Sequence, residues 1–361
     1  MQFHTLKINK IVSETKDTNT FYFDIPSHLR ENYQFIPGQH LTIKAVINGT
    51  ELRRAYSICT STDASSLGIT IKKVSGGMMS SYLNDKVKEG DTLEVMTPEG
   101  HFVLNPEGQK QRDIYFIAAG SGITPVMAMI KTIVEHEPKS SCYLLYGSRD
   151  ESNIIFKEHL DMLEKKYADQ LVVEHVLSKP IIRKEGGIGG LFAKKIVSWK
   201  GKTGRINEQI YSEFFRNNQG QNPEKCYFVC GPGDLIEKTE NYLIAQGIDK
   251  KQIHKEYFAT ANTHSDSGVD MATVRVTLSG NTFDVKVPKG KTILDTLIDA
   301  KKNPPYSCTS GACSTCMAKV TVGKMTMDQC FALEDDEVEA GYILTCQAHP
   351  VTEKVEITFD N

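Results

Sequence analysis

The chain has 361 residues, 40% of them hydrophobic and 24% charged, with a formal net charge of −3. That is ordinary globular composition with room for two or three domains, and it lacks the basic excess of a chain that neutralises nucleic-acid phosphates, so no nucleic-acid partner is expected. Residues Met1-Gln2-Phe3-His4-Thr5 do not form a basic region followed by an apolar run, and no apolar stretch reaches bilayer length; no membrane insertion is expected, and the cytoplasm is the expected location. Nine cysteines, an odd number, fit a reducing compartment where thiols bind metal or sit in cores.

Apolar and polar residues alternate over 6–11, 20–25 and 40–47, which reads as short half-buried strands and makes residues 1–105 a small antiparallel β-barrel. Within it, Arg53-Arg54-Ala55-Tyr56-Ser57-Ile58 sets a cation, a phenol and a hydroxyl close together. On a strand, Arg54, Tyr56 and Ile58 share one face while Ser57 points to the other. A guanidinium suits a diphosphate, an aromatic stacks on a flat ring and a hydroxyl reaches a ring nitrogen. A strand with an exposed arginine and a core tyrosine has the same pattern. Gly76-Gly77-Met78-Met79-Ser80-Ser81-Tyr82-Leu83 adds a glycine pair before an expected helix, whose first-turn N–H groups can hold a phosphate.

The R-x-Y-S run followed by a G-x-x-S helix start resembles the FAD-binding barrel of the ferredoxin–NADP reductase superfamily. Pro98-Glu99-Gly100-His101-Phe102 is similar to the P-x-G-x-F segment that closes that barrel. The resemblance implies that Arg54, Tyr56, Ser57, Gly77 and Ser80 carry FAD.

A polar connector over residues 105–112 precedes a nearly continuous apolar run, Asp113-Ile114-Tyr115-Phe116-Ile117-Ala118-Ala119, as expected for a strand buried on both faces of a parallel sheet. Gly120-Ser121-Gly122-Ile123-Thr124-Pro125 follows, and a helix is expected over 126–135. Strand, glycine-rich turn and helix suit a pyrophosphate, because glycines admit the backbone and the helix start favours anions. The run is G-x-G-x-x-P, not G-x-G-x-x-G, and that departure matches the reductase superfamily. Residues 112–258 therefore read as an α/β parallel-sheet domain for NADPH, with NADH still open. Gly120, Gly122, Thr124 and Pro125 form its first contact.

A strand over 141–146 leads to Gly147-Ser148-Arg149-Asp150, at the end where open α/β sheets bind ligands. Ser148 and Arg149, with Arg205 from Gly204-Arg205-Ile206, extend the expected site; each arginine is a candidate for a 2′-phosphate or a solvated surface residue. A strand over 225–230 ends in Cys230-Gly231-Pro232-Gly233, with a helix over 234–245. The superfamily resemblance places Cys230, Gly231 and Pro232 at the nicotinamide, without covalent chemistry. Glu256-Tyr257-Phe258 resembles the E-x-F segment that approaches the flavin. Ser57, Cys230 and Glu256 are thus the expected lining of the hydride-transfer site.

Residues 180–205 hold seven Lys or Arg against one acid, Glu185, with the glycines Gly186, Gly187, Gly189 and Gly190 clustered near the middle; this reads as a mobile basic loop, a solvated face or a dock for an acidic partner. Residues 259–272 have linker composition. A β-hairpin is expected over 273–288 around Gly280-Asn281, a helix over 292–301 and a late strand over 355–359. Within this C-terminal domain, 273–361, Cys308, Cys313 and Cys316 stand as C-x4-C-x2-C with Cys346 far downstream. That is the plant-type 2Fe-2S spacing, and the small residues between the ligands let the backbone curl around the sulfurs. A zinc ribbon usually offers two C-x2-C knuckles, and this chain has one. Six acids and no base fill 328–339, reading as a solvated helix face or a partner-steering patch.

The whole resembles ferredoxin-terminated oxygenase reductases: an antiparallel FAD barrel, an α/β nucleotide domain and an α+β β-grasp ferredoxin domain. Residues 94–102, 118–125 and 341–350 bring it nearest to the reductase subunits of phenylacetyl-CoA epoxidases. That resemblance implies electron flow from NADPH through FAD and the 2Fe-2S cluster to a separate oxygenase component of the di-iron type. Reductases of ketosteroid hydroxylases and aromatic-ring dioxygenases stay open as alternatives, as does a redox-sensing adaptor without turnover, since fold alone does not decide function.

Overall fold

The computed structural model describes residues 2–185, 194–258 and 268–360. The chain divides into two compact units, one of Phe3–Leu41 and Tyr56–Lys255, the other of Met1–Gln2, Thr42–Ala55 and Glu256–Asn361.

Strands β1 (Phe3–Thr15), β2 (Thr18–Asp24), β3 (His40–Ile47), β4 (Thr50–Ser57), β5 (Leu67–Lys72) and β6 (Thr92–Met96) form one sheet in the order β4-β3-β6-β1-β2-β5. β1 is antiparallel to β2 and β6, and β2 to β5. A bridge from Ile58, just past β4, to Ile69 of β5 joins the two ends of the sheet, which closes the barrel. The alternation expected along β1 is present: Leu6 and Ile8 are buried while Thr5, Lys7 and Asn9 are exposed. Helix α1 (Met78–Lys86) follows Gly77, as the glycine pair predicts.

Next in the chain come β7 (Arg112–Ala119), α2 (Ile123–His136), β8 (Ser141–Ser148), α3 (Lys157–Lys166) and β9 (Leu171–Leu177). They are followed by β10 (Ile182–Glu185), β11 (Lys194–Val197), β12 (Lys202–Thr203), α4 (Glu208–Asn217), β13 (Glu224–Gly231), α5 (Gly233–Ala245) and β14 (Ile253–Tyr257). The sheet order is β12-β9-β8-β7-β13-β14, with parallel ladders from β12 through β13. The chain works outward from β7 to β8 and β9 and returns on the other side as β13, so the strand order reverses between β7 and β13. Ligands of open α/β sheets bind at that reversal, beyond the carboxyl ends of the strands. Ile114, Phe116, Ile117 and Ala118 are fully buried, which is why β7 reads as a continuous apolar run. The barrel packs on this sheet through Phe102 and Phe228, 5.5 Å apart edge to face, and through Lys131, whose Nζ donates to the Cys59 carbonyl at 3.0 Å.

The basic stretch differs from its expectation. β10 and β11 form an antiparallel ladder from Ile182↔Val197 to Glu185↔Lys194, so backbone pairing organises the flanks of what reads as a mobile loop. The four glycines between them lie outside the described residues.

The second unit carries β15 (Met271–Leu278), β16 (Asn281–Pro288), α6 (Ile293–Asp299), β17 (Met317–Val322), β18 (Met325–Met327), α7 (Asp335–Glu339), β19 (Tyr342–Leu344), β20 (Ala348–Pro350) and β21 (Lys354–Thr358). Five of these strands form a mixed sheet, β16-β15-β21-β17-β19, in which β15 and β21 are parallel. Helix α6 is capped by the Thr292 hydroxyl, which accepts from the Asp295 N–H; its Ile293 and Leu297 pack with Val274, Val276, Val355 and Ile357. The hairpin turn falls at Ser279-Gly280, one residue before its expected place. Both residues have positive φ, 52° and 73°, the requirement of a two-residue primed turn, and the Asp360 carboxylate holds Ser279 in it by accepting from both N–H groups at 2.7 Å.

Candidate redox-cofactor sites

Two glycine-bearing turns meet at the carboxyl end of the parallel sheet. A Cβ on Gly122 would fall 2.1 Å from the Cys230 carbonyl oxygen, so only glycine lets the turn after β7 lie against the turn after β13. Helix α2 begins at Ile123, three residues before its expected start, because Gly120–Gly122 already turns as a 3-10 helix. Thr124 and Pro125 therefore sit in its first turn, where the missing proline N–H costs nothing, and the Thr124 hydroxyl donates to the Ser121 carbonyl at 3.0 Å. Tyr146 donates to the Gly120 carbonyl at 2.9 Å, which fixes the turn from β8. Beyond these turns opens a cleft of about 380 Å³ whose walls include Gly120, Ser148, Arg149, Arg205 and Pro232. Five of the expected nucleotide residues thus line one cavity. Cys230 is fully buried, a core thiol at the cleft floor's strand end.

The cleft also holds residues that the sequence reading missed: Lys72, Gly147, Asn153, Ser178, Asp234 and Lys238. Gly147 lies at the carboxyl end of β8 and Ser178 follows β9, a signal available from topology; Lys72 arrives from the barrel and had none. Lys72, Arg149, Arg205 and Lys238 set four cations against the Asp234 carboxylate. The Arg149 and Arg205 side chains are 70% and 85% exposed, so both can move onto an anion.

Around the flavin motif, Arg54 Nη1 donates to the Arg53 carbonyl at 2.7 Å, and Ser57 is buried. At α1, Gly77 is the N-cap and no side chain caps the helix, leaving its start available to a phosphate. Ser80 is 6% exposed and its hydroxyl accepts from the Val74 N–H at 3.1 Å; it holds the glycine turn that precedes the helix.

The four cysteines fit a cluster. Cys308, Cys313, Cys316 and Cys346 are 6%, 8%, 1% and 2% exposed. Hydrogen bonds from the Cys313 and Cys346 thiols hold Cys308 well below the usual thiol range, while donating to Cys308 pushes Cys313 up. A thiolate bonded by neighbouring thiols is the arrangement in which metal binding releases the remaining protons. Among the described residues no group of His, Cys, Asp or Glu closes around a single-ion position; Cys313 and Cys346 meet at Cys308, and Cys316 meets Cys346. Thr309 and Gly311 have φ of 60° and 73°, and the Ser310 N–H points at Cys308 Sγ, 3.5 Å away. A Cβ on Gly311 would lie 2.8 Å from the Gln329 carbonyl, and Phe331 donates its N–H to the Gly311 carbonyl at 3.0 Å. Phe331 in turn stacks on Tyr257, with centroids 4.4 Å apart and planes at 18°; Glu256, the neighbour of Tyr257, is half-buried. Asp328 departs from the solvated reading of the acidic run: its side chain is 4% exposed and meets His349 Nε2 at 2.9 Å. Glu334 to Glu339 keep the expected form, a short helix with a capping box between Glu334 and Glu337.

Three family models match the chain: an oxidoreductase FAD-binding domain over residues 5–104, an oxidoreductase NAD-binding domain over 116–241 and a 2Fe-2S iron-sulfur cluster binding domain over 276–351. Together with the fold they define a flavin- and nicotinamide-dependent oxidoreductase ending in an iron–sulfur domain. The chain is 37% identical to a component of the 1,2-phenylacetyl-CoA epoxidase of Escherichia coli (strain K12), across 99% of this chain and 98% of that one. It is 32% identical to the ferredoxin reductase component of the 3-ketosteroid-9-alpha-monooxygenase of Rhodococcus rhodochrous, across 98% and 96%. The solved structure of phthalate dioxygenase reductase covers 99% of this chain and 98% of its own, with a TM-score of 0.61 and 25% identity. The chain belongs to this family of oxygenase reductase components. Among the described residues no helix is long and apolar enough to cross a membrane.

Proposed function

We propose that this chain is the NADPH-dependent reductase of a di-iron oxygenase that epoxidises phenylacetyl-CoA, working in the cytoplasm. The observation that carries this reading is the 37% identity to the epoxidase component along nearly the full length of both chains. Bound FAD accepts the two electrons of a hydride and passes them on singly, and the cluster takes them one at a time. Arg54, Tyr56, Ser57, Gly77 and Ser80 hold the flavin, with Ser80 acting through the turn it fixes. Gly120, Gly122, Thr124, Pro125, Ser148, Gly231 and Pro232 seat the nucleotide, and Ser57, Cys230 and Glu256 line the hydride-transfer site without bonding to either ring. Cys308, Cys313, Cys316 and Cys346 ligate the cluster. Residues 1–105, 112–258 and 273–361 are the flavin, nucleotide and cluster domains, and 259–272 joins the last two.

The choice of NADPH rests on the exposed cations of the cleft, Arg149, Arg205 and Lys238, which suit a 2′-phosphate. Purification from the native cell tests the partner. A di-iron oxygenase that copurifies and epoxidises phenylacetyl-CoA only with this chain and NADPH is the expected result. A Rieske oxygenase in its place would move the assignment to the ketosteroid or aromatic-ring systems, and bound cofactors without NADPH-dependent cytochrome c reduction would make the chain a sensor.

A further inference from the structure

The approach to Cys308 is gripped by a hairpin that belongs to the flavin barrel in sequence. Strands β3 and β4 are joined by Asn48-Gly49, both at positive φ, and residues Thr42–Ala55 of this hairpin group with the ferredoxin domain as one compact unit. Ser307, the residue before the first cluster ligand, is 1% exposed, and its hydroxyl shares a 2.6 Å hydrogen bond with that of the fully buried Thr42. One residue earlier, the Tyr306 ring lies under the Arg53 guanidinium, 4.3 Å from Cζ to the centroid. The Arg53 side chain is only 10% exposed and is paired with Glu51 at 2.9 Å. Desolvation of this kind is the setting in which a cation–π contact is strongest. Tyr306 also belongs to the small core that contains Cys316 and Cys346, so the ring connects the hairpin to three of the four ligands.

Strand alternation places Arg53 on the face of β4 opposite Arg54 and Tyr56. One strand therefore presents Arg54 and Tyr56 on one face and holds the cluster loop with the other, which Ser57 shares. We propose that Thr42 and Arg53 are positioning residues for electron transfer from flavin to cluster. They fix Tyr306-Ser307-Cys308 against the flavin-binding strand, and the Thr42–Ser307 hydrogen bond is the non-covalent step by which the electron reaches Cys308. In each transfer the reduced flavin loses one electron and one ferric iron becomes ferrous; the nicotinamide hydride supplies the pair, and the flavin's proton leaves to water. The inference rests on the assignment of Arg54, Tyr56 and Ser57 to FAD.

The holoprotein carrying Thr42→Val and Arg53→Ala, singly and together, is mixed anaerobically with NADPH, and flavin and cluster bleaching are followed separately. Flavin bleaching should stay within about twofold of the native rate, while cluster reduction slows about tenfold or more in the double variant, the scale expected when a reacting pair is displaced. Tyr306→Phe and Arg53→Lys, which keep the ring and the cation, should retain most of the cluster rate. Hydrogen–deuterium exchange gives a readout independent of turnover: the amides of Tyr306, Ser307, Cys308 and Thr309 should exchange faster in the double variant and remain native-like in Tyr306→Phe. Should the double variant lose its cofactors, Thr42→Val, which keeps the side-chain shape, decides alone. A native cluster rate in that variant, or equal slowing of both bleaching phases, overturns the proposal. Full FAD content in Arg54→Ala would instead remove the flavin assignment, and leaves the exchange result standing.

Discussion

In the parallel sheet, Ile114, Phe116, Ile117 and Ala118 of β7 are fully buried and supply only apolar contact. The groups that line the cleft come from the last residues of the strands, the turns beyond them and helix α5. In the ferredoxin domain, Cys316 and Cys346 are themselves core residues, packed with Leu294, Tyr306, Leu333 and Leu344. Helix α6 shows the division within one element: Ile293 and Leu297 face the sheet core, while Leu294 faces the cluster core. Core and site can be changed separately in the first region, whereas in the second the proposed ligands Cys316 and Cys346 are also packing residues, so cofactor and local stability are expected to stand or fall together.

The strongest break of this comparison is Cys316→Ser. It should abolish cluster absorption and reduce cytochrome c reduction to background while NADPH still bleaches the flavin. Hydrogen exchange should accelerate through the cluster core and stay native in β7, β8 and β13; unchanged visible absorption would contradict the ligand assignment. Next in size is Phe116→Ala, which empties a fully buried site and should cost about 3–5 kcal/mol in urea unfolding. Its folded fraction should keep the full cluster spectrum, and loss of cluster in step with stability would show that the two regions are not separable.

The smallest effect concerns pH. His175 on β9 sits between the rings of Tyr146 and Trp199, at 5.7 and 6.2 Å, and burial pushes its imidazole down to about 4. The unfolded chain takes up this proton near pH 6.5 and the folded one only near 4. Its contribution is therefore complete above pH 6.5 and is lost as pH falls towards 4, on the order of 2–3 kcal/mol. His175→Phe should flatten that part of the stability–pH curve, and an unchanged slope would assign it to other groups.

Much of this was legible in the sequence where a local rule applies. The apolar run at 113–119 is β7 less its first residue, and the C-x4-C-x2-C spacing brings buried thiols into contact. Boundaries slipped where a turn has its own chemistry: α2 begins early on the 3-10 turn of Gly120–Gly122, and the hairpin turn is set by Asp360, 80 residues away from Gly280 in sequence. Contacts made only by tertiary packing left no signal. Thr42 and Ser307 are separated by 265 residues, and nothing in Arg53-Arg54 distinguishes the arginine under which Tyr306 lies. Asp328 reads as one acid in a solvated run because its partner, His349, lies on the far side of Cys346.

The stack of Tyr257 on Phe331 changes what the connector after it has to do. Past the connector, the Val269 N–H donates to the Pro350 carbonyl at 3.0 Å, so both anchors grip the same ferredoxin unit. The length of chain between them then sets no reach, and doubling it would add only about 0.6 kcal/mol to closure. The anchors at its two ends are an aromatic stack and a backbone hydrogen bond, and neither depends on how many residues lie between.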